Sequence, residues 1–200
     1  MNSVSKSVNS NVVILAGGRS RRMGRDKLEM PLGGQTMLES AVSRFSEVFE
    51  HVYISVAEAG KYQIAGVSEI VDIKPGSGPL SGLHAALTCL PGDGVFLLAG
   101  DLPYSCPRAA KRITELCGAC EISVVRLPDG RLEPLFGYYR KTLLQRCEEA
   151  ISSGDFRMSE IILAAYTRYV DPLELGGPWN DKIIMNINNP EDYIKAALEF

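Results

Sequence analysis

The feature that most constrains the fold is a strand-like run that breaks into a basic, glycine-rich loop. The apolar run 12–15 stops at Gly17 and Gly18. Glycine lets backbone N–H groups approach an anion closely, and arginine and lysine supply donors that match phosphate oxygens. The pattern therefore predicts a buried first strand followed by a phosphate-binding loop. Only Asp26 opposes the cationic side chains of this loop, which are Arg19, Arg21, Arg22, Arg25 and Lys27.

Two common phosphate motifs do not describe this loop. A P-loop runs from its last glycine directly into Lys and then Ser or Thr, whereas Gly24 is followed by Arg25 and Asp26. The dinucleotide fingerprint G-x-G-x-x-G is also absent, because Gly17 and Gly18 are adjacent. The simplest alternative is a basic surface turn in which the glycines only allow a tight bend.

Composition limits the classes of ligand that the loop can serve. With 200 residues, 46% hydrophobic and 22% charged, the chain matches an ordinary globular domain. Its formal net charge of −3 argues against a general nucleic-acid surface. The basic loop is therefore a local feature, and we expect its ligand to be small and anionic.

The rest of the composition predicts a single cytoplasmic domain. No uninterrupted apolar stretch reaches the roughly 18 residues of a membrane span, and residues 1–10 are polar, which predicts a flexible tail before a domain at 11–200. The cysteines are odd in number and scattered, which predicts a reducing compartment. Cys117 and Cys120 form a C-x-x-C, but without a second pair we expect ordinary thiols rather than a zinc or redox site.

Apolar strand-like runs alternate with helical patterns along the chain. This alternation predicts an α/β fold with a mostly parallel sheet. Thr36 with Glu39 has the spacing of a capping box, and Pro107 and Pro190 suit the first turns of later helices. We expect strands at 12–15, 51–56, 69–72, 95–101, 121–125, 134–139 and 168–171, with helices after residue 36, at 80–90, from 107, at 142–151, at 159–165 and from 190.

Acidic residues stand where two predicted strands end. Ligands of open α/β sheets gather beyond the carboxyl ends of the strands, and Asp72 and Asp101 fall at such ends. A bare carboxylate facing a phosphate loop would repel the ligand, so we expect Asp101 to hold a cation. Asp72 precedes the Gly/Pro-rich stretch 73–79 and, taken alone, is equally typical of a turn.

Four separate blocks resemble the molybdenum cofactor guanylyltransferases, a MobA-like group of nucleotidyltransferases. LAGGRSRRMGRDK is similar to the signature L-A-G-G-x-S-x-R-M-G-x-D-K, and GPLSGL is similar to G-P-L-A-G. Asp101 with Pro103 resembles the metal-binding aspartate, and N-I-N-N-P-E-D resembles N-x-N-T-P-E-D, with Asn189 in place of threonine. The resemblance implies a single-domain, three-layer Rossmann-like fold of the nucleotide-diphospho-sugar transferase type.

The resemblance also implies roles for particular residues. Asp101 would be the ligand of Mg²⁺, with Mn²⁺ as an alternative, and Asn186 and Asn188 would orient the acceptor or the waters of the metal. In the competing interpretation Asn189 only caps the last helix and the other two asparagines bond to backbone. Glu133 begins a segment that resembles the second-substrate pocket. Catalysis would rest on Arg22, Lys27 and Asp101, and GTP would contact Leu15, Ala16, Gly17, Gly18, Lys27, Asp72 and Asp101.

The expected activity is transfer of GMP from GTP to the terminal phosphate of molybdopterin. The products would be the guanine dinucleotide cofactor and pyrophosphate, and we expect GTP, molybdopterin and transient partner proteins of cofactor synthesis as the interacting molecules. A cytidylyl- or uridylyltransferase acting on molybdopterin or on a sugar or polyol phosphate, and a non-catalytic nucleotide or pterin carrier, are the alternatives. A glycosyltransferase would favour Asp-x-Asp, where this chain has Asp101, Leu102 and Pro103.

Overall fold

A seven-stranded sheet forms the centre of the computed structural model, which describes residues 11–17 and 26–200. Its strands are β1 (Asn11–Leu15), β4 (His51–Val56), β5 (Ser68–Val71), β6 (Gly94–Ala99), β7 (Ile122–Arg126), β8 (Leu132–Arg140) and β9 (Thr167–Val170), and the short strands β2 (Pro31–Leu32) and β3 (Gln35–Thr36) form a separate antiparallel pair. The sheet order is β5-β4-β1-β6-β8-β7-β9, and β1 is parallel to both of its neighbours. β8 runs antiparallel to β6 and β7, whereas all other neighbouring strands of this sheet are parallel. The sheet is therefore mostly parallel, as expected.

Helices cover both faces of this sheet. They are α1 (Met37–Ser46), α2 (Pro79–Cys89), α3 (Pro107–Leu116), α4 (Leu144–Ser153), α5 (Met158–Ala164), α6 (Pro172–Leu175) and α7 (Pro190–Ala197). Short 3-10 helices lie at Lys27–Glu29, Lys141–Leu143 and Asp181–Ile184. In the described part of the chain, no helix is both long enough and apolar enough to cross a membrane.

The strand period divides the apolar residues between two cores. On β1, Val12 and Ile14 belong to a core that includes residues of α1 and α3, whereas Val13 belongs to a core that includes residues of α2, α4 and α5. Successive side chains of a strand point to opposite faces, so an entirely apolar strand must be covered on both sides. This produces the expected three-layer α/β/α arrangement.

Local sequence signals account for several element boundaries. Thr36 and Glu39 form the capping box that begins α1. Gly33 and Gly34 have φ of +63° and +87° and form the tight turn between β2 and β3, where left-handed backbone favours glycine. Asn189 caps α7 through a bond from the N–H of Asp192, at 2.9 Å.

One strand boundary needs correction, and the segment before α7 is only partly extended. Asp181–Ile184 forms a 3-10 helix that Asn180 caps, so the extended part of this segment begins after Ile184. The strand expected at 95–101 ends at Ala99, because the N–H of Leu102 bonds to the carbonyl of Ala99 and closes a turn there. Asp101 therefore lies in the turn beyond β6.

Candidate active site

The functional residues lie where the central strands end. Leu15 is paired with Ser55 on one side and with Ala99 on the other, so β1, β4 and β6 stop at the same edge. Backbone bonds continue past the strands: the N–H of Gly100 donates to Leu15, at 3.1 Å, and the N–H of Asp72 donates to Val56, at 2.9 Å. The sheet thus brings Gly17, Asp72 and Asp101 to one edge although they are distant in sequence.

A cavity of about 840 Å³ opens at this edge. Its volume is in the range of pockets that hold small molecules and cofactors. Among its described lining residues, Glu58, Asp72 and Asp101 are acidic and Lys27 is basic. The described lining comprises Leu15, Gly17, Lys27, Leu28, Ser55, Ala57, Glu58, Asp72, Pro75, Gly76, Gly78, Pro79, Gly82, Ala99, Gly100, Asp101 and Leu135.

Lys27 and Asp101 form an ion pair in this cavity. Lys27 Nζ lies 2.5 Å from Asp101 Oδ2 and also donates to the carbonyl of Ile187, at 2.9 Å. The side chains are 17% and 23% exposed, so the pair is screened less than a surface pair. Loss of either partner would leave the other charge in a largely desolvated position.

The donor set around Asp101 fits a hard cation that is shared with a substrate. In residues 11–17 and 26–200, no group of three or more His, Cys, Asp or Glu side chains converges on one point. Mg²⁺ is commonly held by one or two carboxylates, with substrate phosphates and water completing its coordination. A polyanion bound among Glu58, Asp72 and Asp101 would also need added positive charge. The Asp101 carboxylate, in the turn beyond β6, is an oxygen ligand of the kind that such a shared cation requires.

Asp72 and Ser55 form a half-buried polar pair in the cavity. Burial raises the pKa of the Asp72 carboxyl, and the hydrogen bond that Ser55 Oγ donates to it, at 3.4 Å, opposes that rise. Ser55 is buried and is the penultimate residue of β4. No sequence pattern singled out Ser55; only its register beside Leu15 places it here.

Glycines let backbone and helix approach the cavity closely. A Cβ added at Gly82 of α2 would lie 2.5 Å from both Leu15 Cδ2 and Ser55 Oγ. A Cβ added at Gly100 would lie 2.8 Å from the carbonyl oxygen of Leu15. Real Cβ atoms do not make such contacts. At Gly100 the obstacle is backbone, so packing requires glycine there, whereas at Gly82 the side chains of Leu15 and Ser55 would have to move to admit a methyl group.

The two predicted acceptor asparagines flank Ile187, whose backbone contacts both members of the ion pair. Asn186 and Asn188 are exposed on either side of Ile187, which is buried. The N–H of Ile187 donates to the carbonyl of Asp101, at 3.1 Å, while its own carbonyl accepts from Lys27. The segment before α7 is therefore attached to both charged residues. The cap expected for Asn189 under the competing interpretation is also present.

Only some of the other predicted nucleotide-binding residues lie in the part of the chain that the structure describes. Leu15 and Gly17 line the cavity. Ala16 is buried, its N–H donates to the carbonyl of Ser55, and its own carbonyl oxygen lies 3.3 Å from Tyr62 Oη, whose single hydrogen is donated to Asp26. Gly18 and Arg22 lie outside the described residues, as do the other arginines of the basic loop, Arg19, Arg21 and Arg25.

Asp26 has partners that the sequence did not indicate. Its carboxylate accepts from Tyr62 Oη at 2.6 Å and from the N–H of Leu28 at 3.1 Å, and it lies 2.6 Å from Lys61 Nζ. Burial tends to raise the pKa of this carboxyl, but the hydrogen bonds from Lys61 and Tyr62 outweigh it and the pKa is lowered. Tyr62 is 36 positions away from Asp26 in a segment without a recognisable motif.

The remaining titratable candidates lie away from the cavity lining. The Cys117 thiol is buried and donates to the carbonyl of Cys120, at 3.1 Å, and burial raises its pKa. His84 is buried in α2, with Nε2 at 3.7 Å from Oε1 of Glu148 in α4. Glu133 is partly buried on β8, and burial raises its pKa.

The chain is similar to a consistent set of known proteins. A family model described as the MobA-like NTP transferase domain matches residues 12–169. A probable molybdenum cofactor guanylyltransferase of Pelotomaculum thermopropionicum is 32% identical over 187 residues, covering 93% of this chain and 91% of that protein. A molybdenum cofactor guanylyltransferase of Rhizobium johnstonii is 32% identical over 197 residues, covering 92% and 90%. The fold matches the crystal structure of molybdopterin-guanine dinucleotide biosynthesis protein A from Archaeoglobus fulgidus with a TM-score of 0.79, at 24% identity and covering 94% and 97% of the two chains.

Proposed function

We propose that this chain, which belongs to the MobA-like NTP transferase family and is a nucleotidyltransferase, transfers GMP from GTP to the terminal phosphate of molybdopterin. The products are the molybdopterin guanine dinucleotide and pyrophosphate. The observation that carries the proposal is the ion pair of Lys27 and Asp101 in a cavity of about 840 Å³ at the ends of parallel strands. The names of the relatives at 32% identity support GTP and molybdopterin as the substrates.

The reaction joins two anions and needs no nucleophile from the protein. An oxygen of the acceptor phosphate forms a bond to the α-phosphorus of GTP, the bond from that phosphorus to the α,β-bridging oxygen breaks, and pyrophosphate leaves with the electron pair. The barrier is lowered chiefly by in-line positioning and by neutralising charge. The described cavity lining fits this demand, since it offers charged groups and backbone rather than a Ser-His or Cys-His pair.

Lys27 and Asp101 have different roles in neutralising the negative charge of the reacting phosphates. Lys27 donates to the triphosphate and stabilises the charge that develops on the departing pyrophosphate. Asp101 would hold a divalent cation, Mg²⁺ or Mn²⁺, both of which prefer oxygen ligands. Such a cation would supply positive charge against the phosphate oxygens of the reacting groups. Arg22 is proposed as a further triphosphate donor on the strength of the family signature.

The guanosine and the acceptor are assigned to different residues of the site. Backbone groups of Leu15, Ala16 and Gly17 hold the base, Ala16 through its carbonyl oxygen because its N–H already donates to Ser55. Gly18 belongs to the same loop, and Asp72 supplies the acidic contact to the nucleotide. Leu15, Gly17 and Asp72 line the described cavity, which supports the nucleotide assignment. Asn186 and Asn188 orient the acceptor or the waters of the cation, which agrees with their exposure beside Ile187.

The first test is a thermal-shift panel of GTP, CTP, UTP and ATP with Mg²⁺. A ligand that binds only the folded state raises the melting temperature, by an amount that grows with concentration over Kd. We expect the largest shift with GTP, followed by release of pyrophosphate when molybdopterin is added. A dominant shift with CTP or UTP would identify a cytidylyl- or uridylyltransferase, and GTP binding without pyrophosphate release would identify a carrier. The cytoplasmic setting and the transient partner proteins remain predictions.

A further inference from the structure

The Tyr62 hydroxyl bridges the two flanks of the basic loop. It donates to the Asp26 carboxylate, with 2.6 Å between the oxygens, and lies 3.3 Å from the carbonyl oxygen of Ala16. Ala16 and Asp26 stand immediately before and after residues 17–25, which carry the basic loop. One side-chain atom therefore fixes how far apart the start and the end of this loop lie.

Tyr62 is itself held firmly. It is 7% exposed and packs in the core that includes residues of α1 and α3. Its N–H donates to one oxygen of Glu69, at 2.7 Å, and the N–H of Gly60 donates to the other, at 2.5 Å. Because Glu69 belongs to β5, the tyrosine is anchored to the edge of the sheet rather than to another loop.

Asp26, held by Tyr62, in turn restrains the backbone of Lys27. The Asp26 side chain caps the 3-10 helix Lys27–Glu29 by accepting from the N–H of Leu28, which is buried. Lys61 reinforces the arrangement, since its Nζ lies 2.6 Å from Asp26 and 4.7 Å from the centre of the Tyr62 ring. A residue in the first position of a capped turn has little freedom to move its Cα, so the cap sets the direction in which Lys27 extends toward Asp101.

We infer that Tyr62 is a positioning residue for nucleotidyl transfer, which acts by fixing Asp26 and thereby the ammonium group of Lys27. The inference rests on the proposed function for its kinetic consequence, but its structural part does not. The hydroxyl is the essential group: phenylalanine would preserve the ring packing while Asp26 lost a donor and the carbonyl of Ala16 lost its hydroxyl contact. A charged acceptor that loses a short hydrogen bond shifts toward its remaining donors.

The test compares Tyr62→Phe with the wild type and with Ser123→Ala. Ser123 is a suitable control because its buried hydroxyl also donates to a backbone carbonyl, that of Ile113 at 2.8 Å, and it does not line the cavity. In the nucleotide-free protein, we expect the amide of Leu28 in Tyr62→Phe to exchange its hydrogen about 10-fold faster than in the wild type, because local opening becomes easier. Ser123→Ala should leave that rate unchanged.

A double-mutant cycle with Lys27→Ala separates positioning from general destabilisation. In the wild-type background, Tyr62→Phe should lower kcat/KM for GTP by about 10-fold, whereas in the Lys27→Ala background it should lower it by less than about 2-fold. A purely structural role would lower both backgrounds equally. GTP affinity measured by calorimetry in the same four proteins gives a second readout that does not depend on turnover.

Each outcome decides the inference. Equal exchange of the Leu28 amide in Tyr62→Phe and wild type would overturn it, as would equal losses of kcat/KM in the two backgrounds. Faster exchange together with a loss that disappears in the Lys27→Ala background would establish it. A wild-type protein that binds none of the nucleotides would contradict the proposed function instead, and the exchange rates would then decide by themselves whether Tyr62 fixes Asp26.

Discussion

At the scale of single residues, the most important contact is the ion pair of Lys27 and Asp101, which are 74 positions apart in the sequence. The ammonium group of Lys27 donates to the same carboxylate that is proposed to hold a cation. A monovalent side-chain charge and a divalent ion therefore compete for Asp101. A triphosphate would attract Lys27 away from the carboxylate and supply ligands to the cation at the same time, so nucleotide and cation should bind cooperatively.

Lys27→Ala should separate these two effects. Transfer should slow by about 2 to 4 kcal/mol in the barrier, the range for loss of one preorganised charge-stabilising donor. The nucleotide-free variant should bind Mn²⁺, used as a spectroscopic probe, more tightly than the wild type because Asp101 has lost its internal counter-ion. Steady-state kinetics and Mn²⁺ titration followed by electron paramagnetic resonance measure the two quantities.

Asp101→Ala is the matched control for that experiment. It removes the carboxylate itself, so both cation uptake and transfer should be lost, the latter by several kcal/mol in the barrier. Parental turnover of Asp101→Ala with Mg²⁺ present would show that the site is misassigned. Unchanged Mn²⁺ affinity in Lys27→Ala would show that the ion pair does not oppose cation binding.

At the scale of elements, the approach of α2 to the ends of β1 and β4 shapes the cavity. Gly78, Pro79 and Gly82 all line it, and α2 begins with Pro79 at its first position. Proline there has a backbone angle already suited to a helix and no N–H to satisfy. Gly82 then allows the helix to lie against Leu15 and Ser55 without a methyl group between them.

Gly82→Ala should therefore reverse the usual effect of alanine in a helix. Alanine normally stabilises a helix interior relative to glycine by about 0.5 to 1 kcal/mol. Here the added Cβ would lie 2.5 Å from Leu15 and Ser55, and overpacking of this kind typically costs about 1 to 3 kcal/mol. We expect a lower free energy of unfolding and weaker GTP binding, measured by urea denaturation and calorimetry.

Gly177→Ala tests whether a methyl group alone is responsible. A Cβ added at Gly177 meets nothing within 4 Å, and no left-handed φ is required there. This variant should match the wild type in stability and in GTP affinity. If Gly82→Ala were as stable as Gly177→Ala, the close approach of α2 would not be a packing requirement.

At the scale of the whole molecule, the sheet order converts distant sequence blocks into one site. β1 lies between β4 and β6, so the loops that follow these strands share one edge. The segment before α7 returns to the same edge, where Ile187 bonds to both Lys27 and Asp101. The charges gathered in this way also make the stability of the molecule depend on pH.

Asp26 should contribute to loss of stability in acid. Its folded-state pKa is lowered, because the hydrogen bonds from Lys61 and Tyr62 outweigh the effect of burial. The contribution is fully present above the unfolded-state pKa of about 3.9 and is lost as pH falls through the folded-state value. Asp26→Asn should therefore be less stable than the wild type at pH 7, by about 1 kcal/mol, and the difference should shrink as the pH falls through the lowered folded-state pKa of Asp26.

Thermal unfolding of both proteins between pH 7 and pH 3 measures this difference. The comparison between variants is needed because Asp72 and Glu133 have pKa values raised by burial and contribute with the opposite sign. These groups are the same in both proteins, so their contribution cancels. A gap in stability that stayed constant across this range would show that Asp26 is not held ionised by its partners.

The sequence by itself determined the fold class, most element positions and the chemical type of the site. Apolar runs such as 12–15, which are short, rich in β-branched residues and followed by glycine, indicate buried strands, and Thr36 and Asn189 specify helix starts by local bonds. The family signature selected Lys27, Asp72 and Asp101, and the structure brings all three to one cavity. These signals are readable because each depends on residues that are close together in the chain.

The tertiary structure alone decided the contacts between blocks. Ser55 reaches Asp72 through strand register, Tyr62 reaches Asp26 across 36 positions, and the carbonyl of Ile187 reaches Lys27 across 160. None of these partners carries a local pattern, because a hydrogen bond between distant segments depends on sheet order and packing rather than on spacing. The physical reason is that the chain specifies its elements by short-range propensity, but it completes a site only after the hydrophobic cores have fixed where those elements end.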